Sequence, residues 1–333
     1  MKVTIEKLLD QNSLTQEEAR GVMDKIMSGK YDDAQISGFL IALRAKGENY
    51  EEIAGFAQAM RDKMTPVDSV EDAIDMCGTG GDALGTFNIS TAASFVVAGA
   101  GVSVAKHGNR SMTSKSGSAD VLTALGVDIT LPPEKVSECI QNIGIGFMFA
   151  PSLHPAMKYA MGARKALGTR TVFNILGPLC NPAGVKRQLM GIFDGNLTDK
   201  VAKVLKRLGS THAMVVHGNE GLDEISITDE TKYTELTSDG KIKSGTLSPS
   251  SFGFTTTDLE SLRGGEPNEN AEIIRSIFNG ETGPRRDIVV FNAGAGIKVG
   301  GKTESLIDGI KLAEESIDSG SAKNVLELLA AVK

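Results

Sequence analysis

Over residues 1–65 the apolar positions recur at helical spacing. Thr15 with Glu18 forms a capping box, and Ala19, Val22, Met23, Ile26 and Met27 follow on one face. Ile36, Phe39, Leu40 and Leu43 repeat the pattern. Asn49 with Glu52 opens a further helix carrying Ile53, Phe56, Ala57, Met60 and Met64, and Thr65-Pro66 ends the run. Three or four short amphipathic helices result, whose apolar faces must bury against one another or against a partner.

From Ala73 onward the rhythm changes to short apolar strands alternating with helices. Strands are expected at Ile74 to Cys77, Val102 to Lys106, Gly146 to Ala150, Gln188 to Phe193 and Ala213 to His217. Helices are expected at Ser90 to Ala98, Ala119 to Leu125, Pro132 to Asn142, His154 to Leu167 and Thr198 to Leu208. A turn at Ser238-Asp239-Gly240 suggests a hairpin, the apolar run Ile288 to Asn292 reads as one more buried strand, and an amphipathic helical region closes the chain. The pattern predicts an α/β fold: a small N-terminal α-helical domain over residues 1–65, and a larger domain over 70–333 whose mostly parallel central sheet is flanked by helices.

Composition narrows the function. The 35 basic and 42 acidic residues leave a net charge of −7 with no basic block, which disfavours nucleic acid, since non-specific affinity there rests on clustered Lys and Arg. Cys77, Cys139 and Cys180 are widely spaced and form no CxxC, so neither a disulfide framework nor a zinc site is expected. No apolar run approaches signal-peptide or membrane-span length. The expectation is a cytoplasmic protein that binds no membrane and keeps its thiols reduced.

In open α/β sheets ligands bind beyond the carboxyl ends of the strands. Four segments there carry chemistry. Cys77-Gly78-Thr79-Gly80-Gly81-Asp82 follows a strand, and Thr86-Phe87-Asn88-Ile89-Ser90-Thr91 opens the next helix. Glycines let backbone N–H groups crowd an anion and the helix adds its positive end, although a plain tight turn shares this composition. Lys106 to Asp120 supplies three cations and five hydroxyls, which suits a ligand with several phosphates, or else a solvated loop. On the helix expected from His154, Arg164 could take a carboxylate in bidentate fashion, or simply face solvent. Gly221-Leu222-Asp223-Glu224-Ile225-Ser226 offers adjacent carboxylates for Mg²⁺, or an ordinary acidic surface pair. The sequence contains no HExxH, GxSxG or kinase signature.

Taken in order, GTGGD at 78–82, TFNIST at 86–91, KHGNR at 106–110, GSAD at 117–120, NILGPLCNPA at 174–183, GLDEIS at 221–226 and GGEPNENA at 264–271 resemble the anthranilate phosphoribosyltransferase family. The resemblance implies a helical domain hinged to an α/β domain, with a segment at about 167–185 returning to the small domain and a homodimer formed through it. It implies a fold shared with pyrimidine-type nucleoside phosphorylases. The implied reaction transfers the phosphoribosyl group of phosphoribosyl pyrophosphate (PRPP) to anthranilate in tryptophan biosynthesis, with one or two Mg²⁺ per subunit.

Residue by residue, the resemblance places Gly78, Gly81, Asp82, Thr86, Asn88, Ile89, Ser90 and Thr91 at PRPP, together with Lys106, His107, Gly108, Asn109, Arg110, Ser111, Met112, Thr113, Ser114 and Ser118. It gives Ser90, Asp223 and Glu224 to the metal, and Gly78, Asn109, Arg164, His107 and His154 to anthranilate. No covalent or general-base residue is implied, because an aromatic amine needs little activation; Lys106 and the metal would stabilise charge. Two alternatives are weaker. A nucleoside phosphorylase of this fold lacks a use for the pyrophosphate-sized pair of loops and for Asn109 and Arg164, and a nucleic-acid-binding relative should carry a basic face.

Overall fold

The computed structural model describes residues 1–81, 84–111 and 115–333. The chain opens with four helices, α1 (Lys2–Leu9), α2 (Gln16–Met27), α3 (Asp33–Lys46) and α4 (Tyr50–Arg61). Reciprocal capping boxes start three of them: Thr15 with Glu18, Asp32 with Gln35, and Asn49 with Glu52. α2 and α4 approach closely because Gly55 has no side chain to meet the Gln16 carbonyl. Phe39 and Phe56 meet edge to face at 5.9 Å in the core between α3 and α4. Glu52 is fully buried, and it is satisfied by the Lys46 ammonium at 2.8 Å and the Leu14 N–H at 2.8 Å.

The sheet then forms from β1 (Ile74–Gly78), β2 (Val104–Gly108), β3 (Ile145–Phe149), β4 (Arg187–Gly191), β5 (His212–Gly218), β6 (Thr231–Leu236) and β7 (Ile242–Leu247). Their spatial order is β3-β2-β1-β4-β5-β6-β7. β1 to β5 run parallel, and β6 and β7 add an antiparallel hairpin around the expected turn. Strands β2 and β3 build outward on one side of β1, and β4 returns to its other side. The order therefore reverses between β1 and β4, where an open sheet leaves its binding crevice.

Helices α5 (Ile89–Gly99), α6 (Ser118–Ala124), α7 (Pro133–Asn142), α8 (Ala150–Leu153), α9 (Lys158–Leu167), α10 (Phe173–Leu176) and α11 (Thr198–Arg207) connect the strands, and α12 (Pro267–Phe278), α13 (Pro284–Val299), α14 (Leu306–Asp318) and α15 (Ser321–Ala331) follow. One face of the sheet packs on α5 and α13 to α15. The other shares a continuous apolar core with α11 and the four N-terminal helices. Val172, Phe173, Ile175, Leu176, Leu179 and Cys180 are buried in that second core, so the segment between α9 and β4 lies against the helical unit. The three cysteines are buried and free. Among the described residues no helix is long and apolar enough to cross a membrane.

Two expectations need correction. Ile288 to Asn292 is part of helix α13, not a strand. Every residue from Ile288 to Ile297 is buried, so the run lacks the polar face that marks an amphipathic helix, and an aperiodic apolar stretch does not distinguish the two states. Gly294 and Gly296 allow this helix to sit tightly against Ile310 and Met76. The helix expected from His154 begins instead at Lys158, after a 3-10 turn over Pro155–Met157. Pro155 disfavours helical geometry at the residue before it, and His154 takes φ −120° and ψ 62°.

Candidate active site

Parallel alignment brings the ends of β1 to β5 to one edge of the sheet, with Gly78 beside Gly191 in register. The loop after β5 folds back over this edge. Asp223 lies directly above Gly78 and Gly191, and a β-carbon at either glycine would overlap it. The Gly80 N–H donates to Asp223 Oδ2 at 2.7 Å; Gly80 has φ 66°, a left-handed conformation natural to glycine. Next in sequence, Glu224 accepts the Ser90 N–H at 3.1 Å and also hydrogen-bonds the Ser90 hydroxyl. Its carboxylate thus occupies the positive end of α5. The Gly-rich loop, the helix start and the acidic pair form a single cluster, which brings together Ser90, Asp223 and Glu224.

Burial, and then the neighbouring Asp223, push Glu224 up to about 8. Two carboxylates and a hydroxyl converging in a desolvated corner are hard oxygen donors whose mutual repulsion a cation relieves. That donor set fits Mg²⁺, which takes one or two carboxylates and keeps waters for phosphate oxygens.

A polar network supports the floor of the crevice. Asp75, the second residue of β1, is fully buried; it accepts the His107 N–H at 3.1 Å and hydrogen-bonds Asn181. Gln188, its partner in register on β4, bonds Cys77 Sγ at 3.1 Å and the Pro178 carbonyl at 2.7 Å. Lys106, also buried, donates from Nζ to the Met76 carbonyl at 2.5 Å. Burial raises the Asp75 carboxyl and lowers the Lys106 ammonium, while each draws the other toward its charged form. Sequence reasoning passes over Asp75 and Gln188; a carboxylate inside the buried strand Ile74-Asp75-Met76-Cys77 is the signal that could have found them.

The loop after β2 is tied back on itself by Asp120. Its carboxylate accepts the Ser111 and Gly117 N–H groups, both at 3.0 Å, and pairs with Arg110 at 2.8 Å. Asn109 Oδ1 accepts the Arg110 N–H at 2.7 Å, and Ser118 Oγ donates to the Asn109 carbonyl at 3.3 Å. Gly108 has no room for a side chain against Phe147 and Ser118. Asn88 joins the loops after β1 and β2: its Nδ2 donates to the Ser116 carbonyl at 3.1 Å, and its Oδ1 accepts from Ser116 Oγ at 3.0 Å and from Asn270 Nδ2 at 2.9 Å. Asn270 also accepts the Gly265 N–H at 2.8 Å, which gives the GGEPN segment its structural role.

Ile89 is buried in the main core and Thr91 is buried beside it, with its hydroxyl unpartnered. Thr86 forms an isolated bridge with Arg263. Asp82, Met112, Thr113 and Ser114 lie outside the described residues.

His107 and His154, far apart in sequence, meet with their Nε2 atoms 3.2 Å apart. Each ring hydrogen-bonds a backbone carbonyl, that of Gly177 and that of Cys180 respectively, yet burial dominates and lowers them to about 3 and about 4. Both are neutral imidazoles at pH 7. Arg164, half-buried on α9, lies over the Phe173 ring at 5.3 Å. It makes no hydrogen bond or ion pair to another candidate residue among those described. A desolvated guanidinium without a carboxylate partner can receive one from a ligand.

A four-helix unit is thus joined to a doubly covered sheet, with a Gly-rich loop and an acidic pair at the reversal point, and the matching family is one of group-transfer enzymes. Residues 2–64 match the helical bundle domain, and residues 70–323 the a/b domain, of the glycosyl transferase family. A relative in Methanocorpusculum labreanum, an anthranilate phosphoribosyltransferase, is 54% identical over 327 residues, covering 98% of this chain and 96% of its own length. The crystal structure of anthranilate phosphoribosyltransferase from Thermus thermophilus superposes with a TM-score of 0.93 at 43% identity, covering 98% of each chain. The Saccharomyces cerevisiae enzyme in complex with PRPP and Mg gives 0.89 at 30% identity, covering 98% of this chain and 95% of that one. The chain belongs to the anthranilate phosphoribosyltransferase family.

The two low-pKa histidines set a pH dependence of stability. Their folded values lie below the unfolded value near 6.5, so the unfolded chain binds more protons in between, and stability is lost as pH falls from about 6.5 toward 4. Denaturation midpoints at pH 7 and pH 5 should differ less in the His107→Asn/His154→Asn variant than in the unaltered protein. Equal differences would remove the assignment.

Proposed function

We propose that this protein transfers the phosphoribosyl group of PRPP to the amine of anthranilate, giving N-(5-phosphoribosyl)anthranilate and pyrophosphate. The observation that carries the reading is the fusion of the Gly-rich loop, the α5 N-terminus and the Asp223–Glu224 pair into one cluster at the sheet's reversal point. In support, the yeast structures hold PRPP with Mg in one case and 4-fluoroanthranilate in another.

In this reading Gly78, Gly81, Thr86 and Asn88 to Thr91 line the donor site, with Ile89 and Thr91 contributing backbone because their side chains are buried. Lys106 to Ser111 and Ser118 hold the phosphates and ribose. Asp223, Glu224 and Ser90 hold Mg²⁺, one or two ions per subunit. When bound, the metal neutralises negative charge on the departing pyrophosphate. Lys106 adds a positive charge from below the same crevice. Positive charge builds on the ribose ring as its bond to pyrophosphate lengthens, and the anthranilate amine attacks C1 from the opposite face. A free aromatic amine carries its own lone pair, and the acidic proton it bears after attack passes to water, so the chain supplies position and field rather than a base. Arg164 takes the anthranilate carboxylate, Asn109 and Gly78 border the acceptor, and the neutral pair His107 and His154 lines its approach.

The wider assignments follow from this reading: a step of tryptophan biosynthesis, in the cytoplasm, by a protein of two domains. They are residues 1–65 with the returning segment at about 167–185, and residues 70–333. Exposed Val3 and Leu9 on α1 and Ile41 on α3 are apolar surface suited to a homodimer through the helical domain.

Arg164→Ala should raise the KM for anthranilate by roughly ten-fold or more, the loss of a charge-assisted bond, with little change in the KM for PRPP; equal effects on both would argue against its role. Asp223→Asn combined with Glu224→Gln should largely abolish turnover at ordinary magnesium, and full activity in that variant would remove the metal assignment.

A further inference from the structure

The segment Gly168 to Thr171 leaves α9 through Gly168, at φ 57°, and runs between the helical unit and the Gly-rich loop. It is held from both sides. Arg44, on α3, donates from Nη1 to the Thr169 hydroxyl and, at 2.7 Å, to the Arg170 carbonyl. Arg170 in turn reaches across to the crevice. Its Nη2 donates to the Gly81 carbonyl, and its guanidinium stacks over the Phe193 ring at 4.2 Å. Both of these contacts belong to the wall of the anion loop: the Phe193 N–H donates to Thr79 Oγ1 at 3.1 Å, and the Thr79 N–H donates to the Gly191 carbonyl at 3.0 Å.

Arg170 makes no ion pair among the described residues. A merely solvated arginine loses rotamer entropy in adopting a fixed stacked geometry and gains little from one carbonyl. Here the planar fork bridges a ring and a backbone oxygen of the loop that must present its N–H groups to phosphate, and it leaves further N–H donors open. The gripped carbonyl is that of Gly81, the residue next to Gly80, whose N–H donates to Asp223, so the grip holds the end of this loop from the side opposite the acidic pair.

We infer that Arg170 is a further positioning residue for the phosphoribosyl donor: it clamps the Gly78–Gly81 loop in its anion-binding shape, and Arg44 holds the clamp to the helical unit. No local pattern in the chain signals this, since Arg170 follows the end of α9 and is far in sequence from the loop it grips. The inference rests on the proposed use of PRPP, and its test separates the two.

The test compares Arg170→Gln, Arg170→Lys and Arg44→Gln with the unaltered protein in steady-state kinetics, in thermal unfolding, and in calorimetric binding of magnesium pyrophosphate. Arg170→Gln should raise the KM for PRPP about ten-fold or more while the KM for anthranilate changes less than about three-fold, with the unfolding midpoint nearly unmoved. Arg170→Lys, which keeps charge but not the planar fork, should recover only part of the loss. Arg44→Gln should act in the same direction more weakly, and its effect should not add to that of Arg170→Gln, because the two act through one segment. An unchanged KM for PRPP in Arg170→Gln, or equal rises in both constants with a lowered midpoint, overturns the clamp. If the unaltered protein shows no turnover, the reaction is wrong; weakened pyrophosphate binding in Arg170→Gln would still uphold the clamp, and unweakened binding would sink it.

Discussion

The structure turns on two carboxylates held where a sheet reverses. Asp223 rests on Gly78 and Gly191, the paired last residues of β1 and β4, and Glu224 meets the Ser90 amide in the first turn of α5. Carboxylates placed this close repel each other, and burial raises the cost of charging both; the Gly80 and Ser90 amides and nearby Lys106 compensate in part. The remaining imbalance is one that a divalent cation would relieve. Everything around it serves to keep the acids there: glycines at both strand ends, a left-handed turn, and a loop after β5 that folds back over the sheet.

The floor and the walls of the crevice depend on different forces. Below, Asp75, Gln188 and Asn181 satisfy one another in the sheet interior and set the backbone of Lys106 and His107. Such a network is costly if left incomplete and specific when complete. To the side, apolar packing dominates, because the core that binds the four N-terminal helices continues across one face of the sheet and includes residues 172–180. The segment carrying Arg164 and Arg170 is thereby anchored to one unit, and the Arg170 guanidinium reaches the Gly81 carbonyl at the edge of the other.

Much of this is legible in the chain. The capping boxes at Thr15 and Asn49 are local signals with a physical cause, and both helices begin there. The alternation of strands and helices locates the five parallel strands to within a few residues, since each apolar run is short and bounded by turn residues. Helix α13 reads wrongly as a strand because complete burial removes the periodicity on which such reading relies. The break at His154 escapes a reading by apolar spacing, although Pro155 announces it. The meeting of His107 with His154, and the reach of Arg170 to Gly81, join positions 47 and 89 residues apart; tertiary contacts of that kind leave no local trace. The four chemical loops are individually weak signals, and become strong through their order along the chain.

The most direct test follows the fluorescence of anthranilate incubated with the protein, with PRPP and magnesium both present, with each omitted, and with excess chelator. The signal should decay when donor and metal are both present and hold steady in the other cases. Decay without PRPP, or decay undiminished by chelator, would contradict the proposed transfer, and a constant signal under all conditions would remove anthranilate as the acceptor.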